Sequence, residues 1–438
     1  MKRALAPDLT LEEIQAYMSL HTRVLGGPDA SWTIDKKNVL NAHLNVVPKE
    51  QFVFRTTMKD DEYKSISITV DGQDCGTLGH PNVTLLTQLG KPASFGKKGE
   101  TVYDPNVRLA LAIDKDRLTF KKPYGGGLFQ SLIYATEAGD KAFQAWSGAP
   151  AYRTKLYKMH LYPMAGKFDT HVDTPHGEQH IGSAIFILDV PFKGGELVIE
   201  HGAETASVNT PGTLAAWYND CPHRVEPVTE GCRIVLQFDV MSTAELVETT
   251  KTTKNKDEAS DESEEPSSES NSNADSDATE LHPYLAQDHS LATPEWEALF
   301  IKDLAFELEQ HDIALLLEHT YFSKDTCPAP ENLKGRDRLL WLTLVKHQTT
   351  FTTGLVAIVS NYQELEREPT RVLRSIGPLT PVPSGSQRPV LFIPGPECKM
   401  DKIMDNPGAD HTGNEAMMAE STYVGVVIYC TKTPLSNE

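Results

Sequence analysis

The sequence predicts an α+β protein whose centre is a double-stranded β-helix, the jelly-roll or cupin-like barrel in which two facing sheets enclose a cavity. Short strand-like segments recur between residues 152 and 242, and turn signals rich in glycine, proline and asparagine separate them. A strongly acidic segment follows this region, and a mixed α/β pattern with helical periodicity follows the acidic segment. These observations predict four parts: N-terminal helices and strands that support the barrel (1–151), the barrel (152–242), a disordered acidic linker (243–281) and a C-terminal α/β region of unknown role (282–438).

About eight segments carry the strand pattern of the barrel, either as alternation of apolar and polar residues or as short continuous apolar runs. Such a dense succession of short strands and turns is typical of a jelly roll. The predicted strands are Lys155–Leu161, Phe168–Asp173, Ile181–Val190, Gly195–Glu200, Ala203–Val208, Thr213–Tyr218, His223–Val228 and Cys232–Val240.

Two histidines and a carboxylate within this region have the spacing of a mononuclear iron(II) site. Residues i and i+2 of a strand point to the same side, so His171 and Asp173 can reach one metal while Val172 packs away from it. His223, on a later strand, can supply the third ligand. Together they predict a 2-His-1-carboxylate facial triad, which leaves open coordination positions on the metal.

Arg233 lies ten residues after His223, at the start of the last predicted strand. From there its guanidinium can point into the same cavity. A guanidinium binds a carboxylate through two parallel hydrogen bonds, so Arg233 is the predicted anchor for the far end of a dicarboxylic cosubstrate.

The residues of this region resemble the iron(II)/2-oxoglutarate dioxygenases of the prolyl 4-hydroxylase type. The resemblance covers roughly residues 152–240 and rests on a series of short motifs: Tyr162-Pro163, Gly166, Phe168 to Pro175, Gly194 to Leu197, Pro222-His223 and Arg233. It implies that His171, Asp173 and His223 bind iron, that Arg233 binds the distal carboxylate of 2-oxoglutarate, and that Tyr162 is a tyrosine of the cosubstrate pocket. One departure is the apolar run Ile185–Leu188 where some members place a second tyrosine; Ser183 could supply a hydroxyl instead.

The resemblance implies a 2-oxoglutarate-dependent hydroxylase, an oxidoreductase that uses Fe(II), 2-oxoglutarate and O2, with ascorbate as an optional cofactor, and that releases succinate and CO2. A peptidyl proline or a related group is the first substrate expectation. Two alternatives stay open: a small-molecule hydroxylase of the same mechanism, and a non-catalytic iron-binding scaffold or sensor. Barrel loops vary freely within one fold, so the fold alone does not choose among them.

His176 and His180 are the competing metal ligands. Pro175 and Gly177 mark their segment as a turn, so we expect their side chains to line the rim of the barrel or face solvent rather than share the interior with His171.

Composition limits the remaining classes of function. The formal net charge is −20, which argues against nucleic acid bound through its phosphates. Ten acidic and no basic residues lie between Asp257 and Glu280, so half of this charge belongs to the predicted linker. No long apolar run and no secretory signal pattern occurs in the sequence, and the six cysteines form no CxxC pair. We therefore expect no membrane partner and a cytoplasmic or nuclear location with reduced thiols.

Outside the barrel, the sequence predicts supporting elements and no further chemistry. A capping box at Thr10–Glu13 and the periodic segment Leu132–Trp146 predict N-terminal helices, and Ser94–Glu100 predicts a loop near the barrel mouth. In the C-terminal region Pro294–Gln310 and Leu333–Lys346 predict helices, between strand patterns such as Ile313–Leu317. We expect the acidic linker to be either a passive spacer or, together with this region, a binding segment for protein partners.

Overall fold

The computed structural model of the chain describes residues 22–23, 32–34, 37–46, 52–57, 63–97, 100–121, 152–242, 294–323, 328–348, 351–361, 372–376, 388–393, 412–413 and 422–432. The predicted acidic linker and the predicted helices near residues 10–13 and 132–146 lie outside the described residues. The boundaries of the four predicted parts therefore stay predictions.

The described part of the chain is rich in sheet and has few helices. Its α-helices are α1 (Val39–Val46), α2 (Val83–Leu89), α3 (Pro294–Glu307) and α4 (Gly335–Lys346). The first strands are β1 (Thr22–Arg23), β2 (Trp32–Ile34), β3 (Val53–Thr57), β4 (Ser67–Val70), β5 (Gln73–Thr77), β6 (Lys91–Pro92), β7 (Phe95–Lys97), β8 (Glu100–Val102), β9 (Arg108–Leu109), β10 (Leu111–Asp114) and β11 (Leu118–Lys121). The next are β12 (Tyr152–Tyr162), β13 (Lys167–His171), β14 (His180–Ile187), β15 (Phe192–Gly194), β16 (Leu197–His201), β17 (Glu204–Val208), β18 (Thr213–Tyr218), β19 (His223–Val225), β20 (Val228–Gly231) and β21 (Arg233–Ser242). The last are β22 (Asp312–Leu316), β23 (Tyr321–Ser323), β24 (Phe351–Asn361), β25 (Val372–Ile376), β26 (Val390–Ile393), β27 (Thr412–Gly413) and β28 (Thr422–Lys432).

Two antiparallel sheets form the barrel. The larger has the order β3-β18-β14-β21-β12-β10-β6, and the smaller has the order β17-β16-β19-β13-β9. Along residues 152–242 the chain passes back and forth between the two sheets: β12, β14, β18 and β21 lie in the larger sheet, and β13, β16, β17 and β19 lie in the smaller. This alternation is consistent with the predicted jelly roll. One hydrophobic core of buried side chains joins the two sheets.

The outer face of the larger sheet is covered as well, which explains why its central strands are buried throughout. Every residue of β14 and β21 is buried. Ile185 lines the barrel cavity, whereas its neighbour Phe186 points outward and contacts the ring of Tyr63 edge to face at 5.2 Å. Residues before the barrel thus provide the second layer that a fully buried strand requires.

The predicted loop at Ser94–Glu100 is wrong in part, because this segment forms β7 and the start of β8. The two strands pair with each other, with Phe95 opposite Val102. The Phe95 side chain is fully buried and contacts Phe168 of the barrel. Burial of this one aromatic residue offsets the low strand propensity of its glycine-rich neighbours.

The C-terminal region forms a separate mixed sheet with its own core. Its strand order is β1-β25-β24-β28-β22-β26-β2, with β23 paired to β28; β2 and β22 run parallel to β26, and the other pairs are antiparallel. Helices α1 and α3 contact each other, and Trp296 donates from Nε1 to the carbonyl of His43 at 3.0 Å. The N-terminal segments β1, β2 and α1 therefore pack with the C-terminal region, while β3 to β11 surround the barrel.

Among the residues that the structure describes, no helix has the length and apolar character needed to cross a membrane.

Candidate metal and cosubstrate site

The three predicted metal ligands meet inside the barrel. His171 ends β13, His223 begins β19, and the two residues are register partners across these antiparallel strands. Asp173 lies two residues past the end of β13, and its Oδ2 is 3.6 Å from His223 Nε2. Nitrogen or oxygen atoms of all three lie within 4.8 Å of one another, and all three residues are buried. Strand pairing thus provides the third ligand, as the spacing predicts.

Both histidine ligands are oriented by a backbone carbonyl of their own strand or turn. His171 Nδ1 is 2.9 Å from the carbonyl oxygen of Asp169, and His223 Nδ1 is 3.0 Å from that of Cys221. Since a carbonyl only accepts, each Nδ1 carries the proton and donates it, which leaves each Nε2 with a lone pair. Metal-binding histidines are commonly fixed in this way. The ring of Phe168 stacks on His171 at 3.5 Å and limits its rotation further.

This donor set fits a divalent iron ion. Two imidazole nitrogens and one carboxylate that converge from one side form the facial triad of non-haem Fe(II) oxygenases. The same cavity is lined by these three residues together with Arg233 and Tyr162. Its volume is about 340 Å³, part of which is open to solvent.

Arg233 is the first residue of β21 and is 1% exposed. Its guanidinium lies 5.7 Å from the ring of Tyr162, and its Nε and Nη2 have no hydrogen-bond partner among the described residues. Burial lowers the pKa of Arg233 to about 10. A buried guanidinium with two donors available in a cavity is a binding site for a carboxylate.

Gly195 makes room for this arginine. Its φ is +70°, and a Cβ at this position would lie 3.0 Å from Arg233 Cδ and 2.8 Å from Val228 Cγ2. The close approach explains why the Gly-Gly motif precedes the strand β16: a side chain here would displace Arg233.

A second polar group on β21 was not found from the sequence. Gln237 lies four residues after Arg233 and lines the same cavity, as does His160 of β12. Gln237 Oε1 is 2.9 Å from His160 Nε2, and His160 Nδ1 is 3.1 Å from Arg108 Nη2. Because Arg108 only donates, His160 accepts at Nδ1 and donates from Nε2, and the Gln237 amide NH2 is left to donate elsewhere. Side chains alternate along a strand, so the four-residue spacing from Arg233 would have placed Gln237 on the same, cavity-facing side.

His160 is neutral in this network. Burial, followed by the charge of Arg108, holds its pKa well below the usual range. The charge of Arg108 also lies over the Phe168 ring, 4.3 Å from its centre. Arg108 lies on β9, so a strand before the barrel supports His160 and Phe168, two residues that line the cavity.

His176 and His180 do not join the metal ligands, but the expectation that both lie at the rim or in solvent is wrong for His180. It is 3% exposed, because the side chain of Asn219 donates to its carbonyl at 2.5 Å and its Nδ1 accepts from the backbone N–H of His176. His176 Nδ1 is bonded to Asp239 Oδ2 at 2.8 Å. Both rings thus gather around Asp239.

Ser183 is buried but is not among the cavity-lining residues, whereas Ile185 is.

Residues 157–238 match the model of a protein family described as the 2OG-Fe(II) oxygenase superfamily. This segment contains His171, Asp173, His223 and Arg233. Its barrel is a 2-oxoglutarate-dependent dioxygenase domain. The family uses Fe(II), 2-oxoglutarate and O2, and the dioxygenase domain presents the ligand set for the metal.

Three solved structures are similar to just under half of this chain. A prolyl-4-hydroxylase from Pseudomonas putida is 14% identical, with a TM-score of 0.29, over 47% of this chain and 100% of its own. A 2OG-Fe(II) oxygenase family oxidoreductase from Burkholderia pseudomallei is 12% identical, with a TM-score of 0.26, over 48% of this chain and 95% of its own. A viral collagen prolyl hydroxylase from Paramecium Bursaria Chlorella virus-1 is 11% identical, with a TM-score of 0.28, over 44% of this chain and 97% of its own. TM-scores this low carry no argument about the substrate. A comparison with curated proteins gave no match.

Proposed function

We propose that this chain is a hydroxylase of the prolyl 4-hydroxylase type, which acts on a peptidyl proline or a related group and releases succinate and CO2. The observation that supports it best is Arg233, a buried guanidinium with two available donors in the cavity that the triad lines. The distal carboxylate of 2-oxoglutarate would satisfy both donors and compensate for the burial of the charge.

Each group of residues has a distinct task in this proposal. His171, Asp173 and His223 would hold the iron, whose chemistry when bound is the activation of dioxygen. Arg233 would orient the cosubstrate by its distal end, and the Gln237 amide would donate to the same ligand. The apolar walls of the cavity would keep water away from the reacting groups. They are Phe168, Ile185, Leu197, Trp217, Val225 and Val235.

The choice of a peptidyl side chain rests on the sequence resemblance. The cavity is partly open to solvent, so the side chain of a peptide and a small molecule could both reach it. A small-molecule hydroxylase is therefore the competing outcome of the test.

The test begins with an anaerobic titration of the metal-free protein with Fe(II) and then 2-oxoglutarate, followed through the visible charge-transfer band of the chelated cosubstrate. We expect the band in the parent and in His347→Ala, a distant histidine bonded to Glu297 at 2.6 Å, but not in His171→Ala. Absence of the band from folded parent protein would contradict the proposal and favour the non-catalytic scaffold.

Turnover separates the remaining alternatives. Conversion of 2-oxoglutarate to succinate under air excludes the scaffold. Mass spectrometry of proteins incubated with the parent and with His171→Ala then looks for a mass increase of one oxygen on proline. Hydroxylated protein supports the peptidyl substrate, whereas succinate formation stimulated only by a small molecule contradicts it.

Three further proposals rest on the sequence alone. They are a cytoplasmic or nuclear location, an auxiliary role for ascorbate, and protein partners for the acidic linker and the C-terminal region.

A further inference from the structure

The turn between β18 and β19 connects the metal centre to the C-terminal region. It comprises residues 219–222 and leads directly into the metal ligand His223. Its carboxylate, Asp220, has a side chain that is 7% exposed and is surrounded by C-terminal groups. Lys334 Nζ donates to Asp220 Oδ1 at 2.8 Å, and the backbone N–H of Thr320 donates to Oδ2 at 3.0 Å. His319 Nδ1 is 3.1 Å from the same Oδ2.

The groups that hold Asp220 are themselves fixed by a second buried carboxylate. Asp337 accepts from the backbone N–H groups of Glu318 and His319 at 2.8 and 3.0 Å, and from Tyr321 Oη at 2.7 Å. Lys334 is tied to the same segment, because its Nζ also donates to the carbonyl of Thr320 at 2.9 Å. The receptor for Asp220 is therefore a hydrogen-bonded unit of the C-terminal region.

The barrel side of the turn is bonded as well. The backbone N–H of Asn219 donates to the carbonyl of Ile181 at 3.3 Å, and the backbone N–H of Glu200 donates to the carbonyl of Pro222 at 2.8 Å. Between these points lies Cys221, whose carbonyl oxygen accepts from His223 Nδ1. A displacement of the turn at Asp220 would move this acceptor and rotate the imidazole that presents Nε2 to the metal.

Stability alone is a poor explanation for this arrangement. Burial opposes ionisation of Asp220, yet Lys334 and His319 hold its pKa well below the usual range, so its carboxylate is buried between the two regions as an anion that accepts from Lys334. Buried ion pairs commonly contribute little net stability relative to apolar packing, but they accept few geometries. Their use here, three residues from a metal ligand, fixes the position of the turn.

We propose that the C-terminal region is a positioning element of the metal centre: Lys334, Thr320 and His319 hold Asp220, and through the carbonyl of Cys221 they hold His223 in its ligating orientation. This inference rests on the metal site of the proposed function. The C-terminal region would then assist metal binding without supplying a metal ligand or a catalytic group.

The test measures binding of Co(II), as a spectroscopic substitute for Fe(II), to the full-length metal-free protein under anaerobic conditions. The variants are Lys334→Met, which keeps most of the side-chain volume, and the milder Asp220→Asn. We expect Co(II) affinity to fall roughly 10- to 100-fold in Lys334→Met, with an altered visible spectrum at saturation. Asp220→Asn should show a smaller change in the same direction, because its amide oxygen can still accept from Thr320 or Lys334.

Ser242→Ala is the matched control. Ser242 Oγ donates to the carbonyl of Glu331 at 3.2 Å, so this variant also loses a contact between the barrel and the C-terminal region, but at the opposite end of β21 from Arg233. Its Co(II) affinity and spectrum should match those of the parent. Thermal unfolding of each metal-free variant shows how much stability each change removes.

Two results would overturn the inference. One is an unchanged Co(II) affinity and spectrum in both Asp220→Asn and Lys334→Met, even if their unfolding temperatures fall. The other is a loss of affinity in Ser242→Ala as large as in Lys334→Met. A parent protein that binds no Co(II), or that binds it equally after His171→Ala, would overturn the proposed metal site and this inference together, which distinguishes the two failures.

Discussion

Replacement of Arg233 by methionine should weaken cosubstrate binding and stabilise the protein that lacks cosubstrate. Burial lowers the pKa of Arg233 from 12.5 to about 10. At about 1.36 kcal/mol per pKa unit, this shift corresponds to roughly 3 kcal/mol of unfavourable free energy at any pH well below 10. Methionine removes the charge but fills less volume, so we expect a net gain of about 1–2 kcal/mol in the free energy of unfolding.

The loss of cosubstrate affinity follows from the two donors, Nε and Nη2, that are available in the cavity. Two hydrogen bonds to a charged carboxylate contribute roughly 3–4 kcal/mol together, which corresponds to about 100- to 1000-fold in the dissociation constant of 2-oxoglutarate. Iron binding should change little, because the triad does not include Arg233.

Urea unfolding without 2-oxoglutarate and isothermal titration with it measure the two effects separately. Arg224→Met is the control, since Arg224 belongs to the same barrel but its side chain is 34% exposed and pairs with Glu200 and Glu226. A variant Arg233→Met that is no more stable than the parent and binds 2-oxoglutarate normally would contradict both the cost of the buried charge and the role of Arg233 as the carboxylate anchor.

Three further predictions concern other buried groups. Gln237→Glu should raise the KM for 2-oxoglutarate by more than Gln237→Ala does, because it places a negative charge in the cavity that holds Arg233; a KM in Gln237→Ala equal to that of the parent would exclude a donor role for the amide. Burial of Glu318 opposes its ionisation, but the hydrogen bond with His201 and the charge of Arg336 hold its pKa at about 2. Since this pKa lies below the unfolded value near 4.5, the carboxylate adds stability above about pH 4.5 that is lost as the pH falls towards 2; Glu318→Gln should flatten this dependence in urea unfolding between pH 3 and 6. Burial raises the pKa of Cys232 to about 11 and that of Cys430 to about 12, so neither thiol should react with iodoacetamide in native protein at pH 8, as mass spectrometry can check.

The meeting of the three candidate metal ligands could be predicted from the sequence because their arrangement is local or follows from strand pairing. His171 and Asp173 are two residues apart, and His223 needs only an antiparallel neighbour strand. The last strand was found from its apolar run, and the alternation along it places Arg233 inside. Strand Thr213–Tyr218 has the predicted bounds, since turn signals lie at both ends.

The rest of the site depends on contacts between residues far apart in the chain. Arg108 reaches His160 across 52 residues, and Lys334 reaches Asp220 across 114. No local sequence pattern marks either pair. The residues of each pair are brought together by the way the sheets pack, and that packing cannot be read from a short stretch of sequence. The burial of His180 was missed for the same reason: a turn residue was expected near solvent, but Asn219 of a neighbouring strand end holds it inside.

The pairing of β1 and β2 with the C-terminal sheet has a consequence for biosynthesis. β2 lies beside β26, and β1 beside β25, so these two strands find their partners only after about 350 further residues have left the ribosome. The barrel strands β12 to β21 emerge well before that point and can pair among themselves. Until β25 and β26 have been made, the N-terminal strands lack these partners and can bind other chains. The barrel strands are thus made before the C-terminal sheet is complete, and truncation of the first 35 residues should expose both edges of that sheet while leaving the barrel paired.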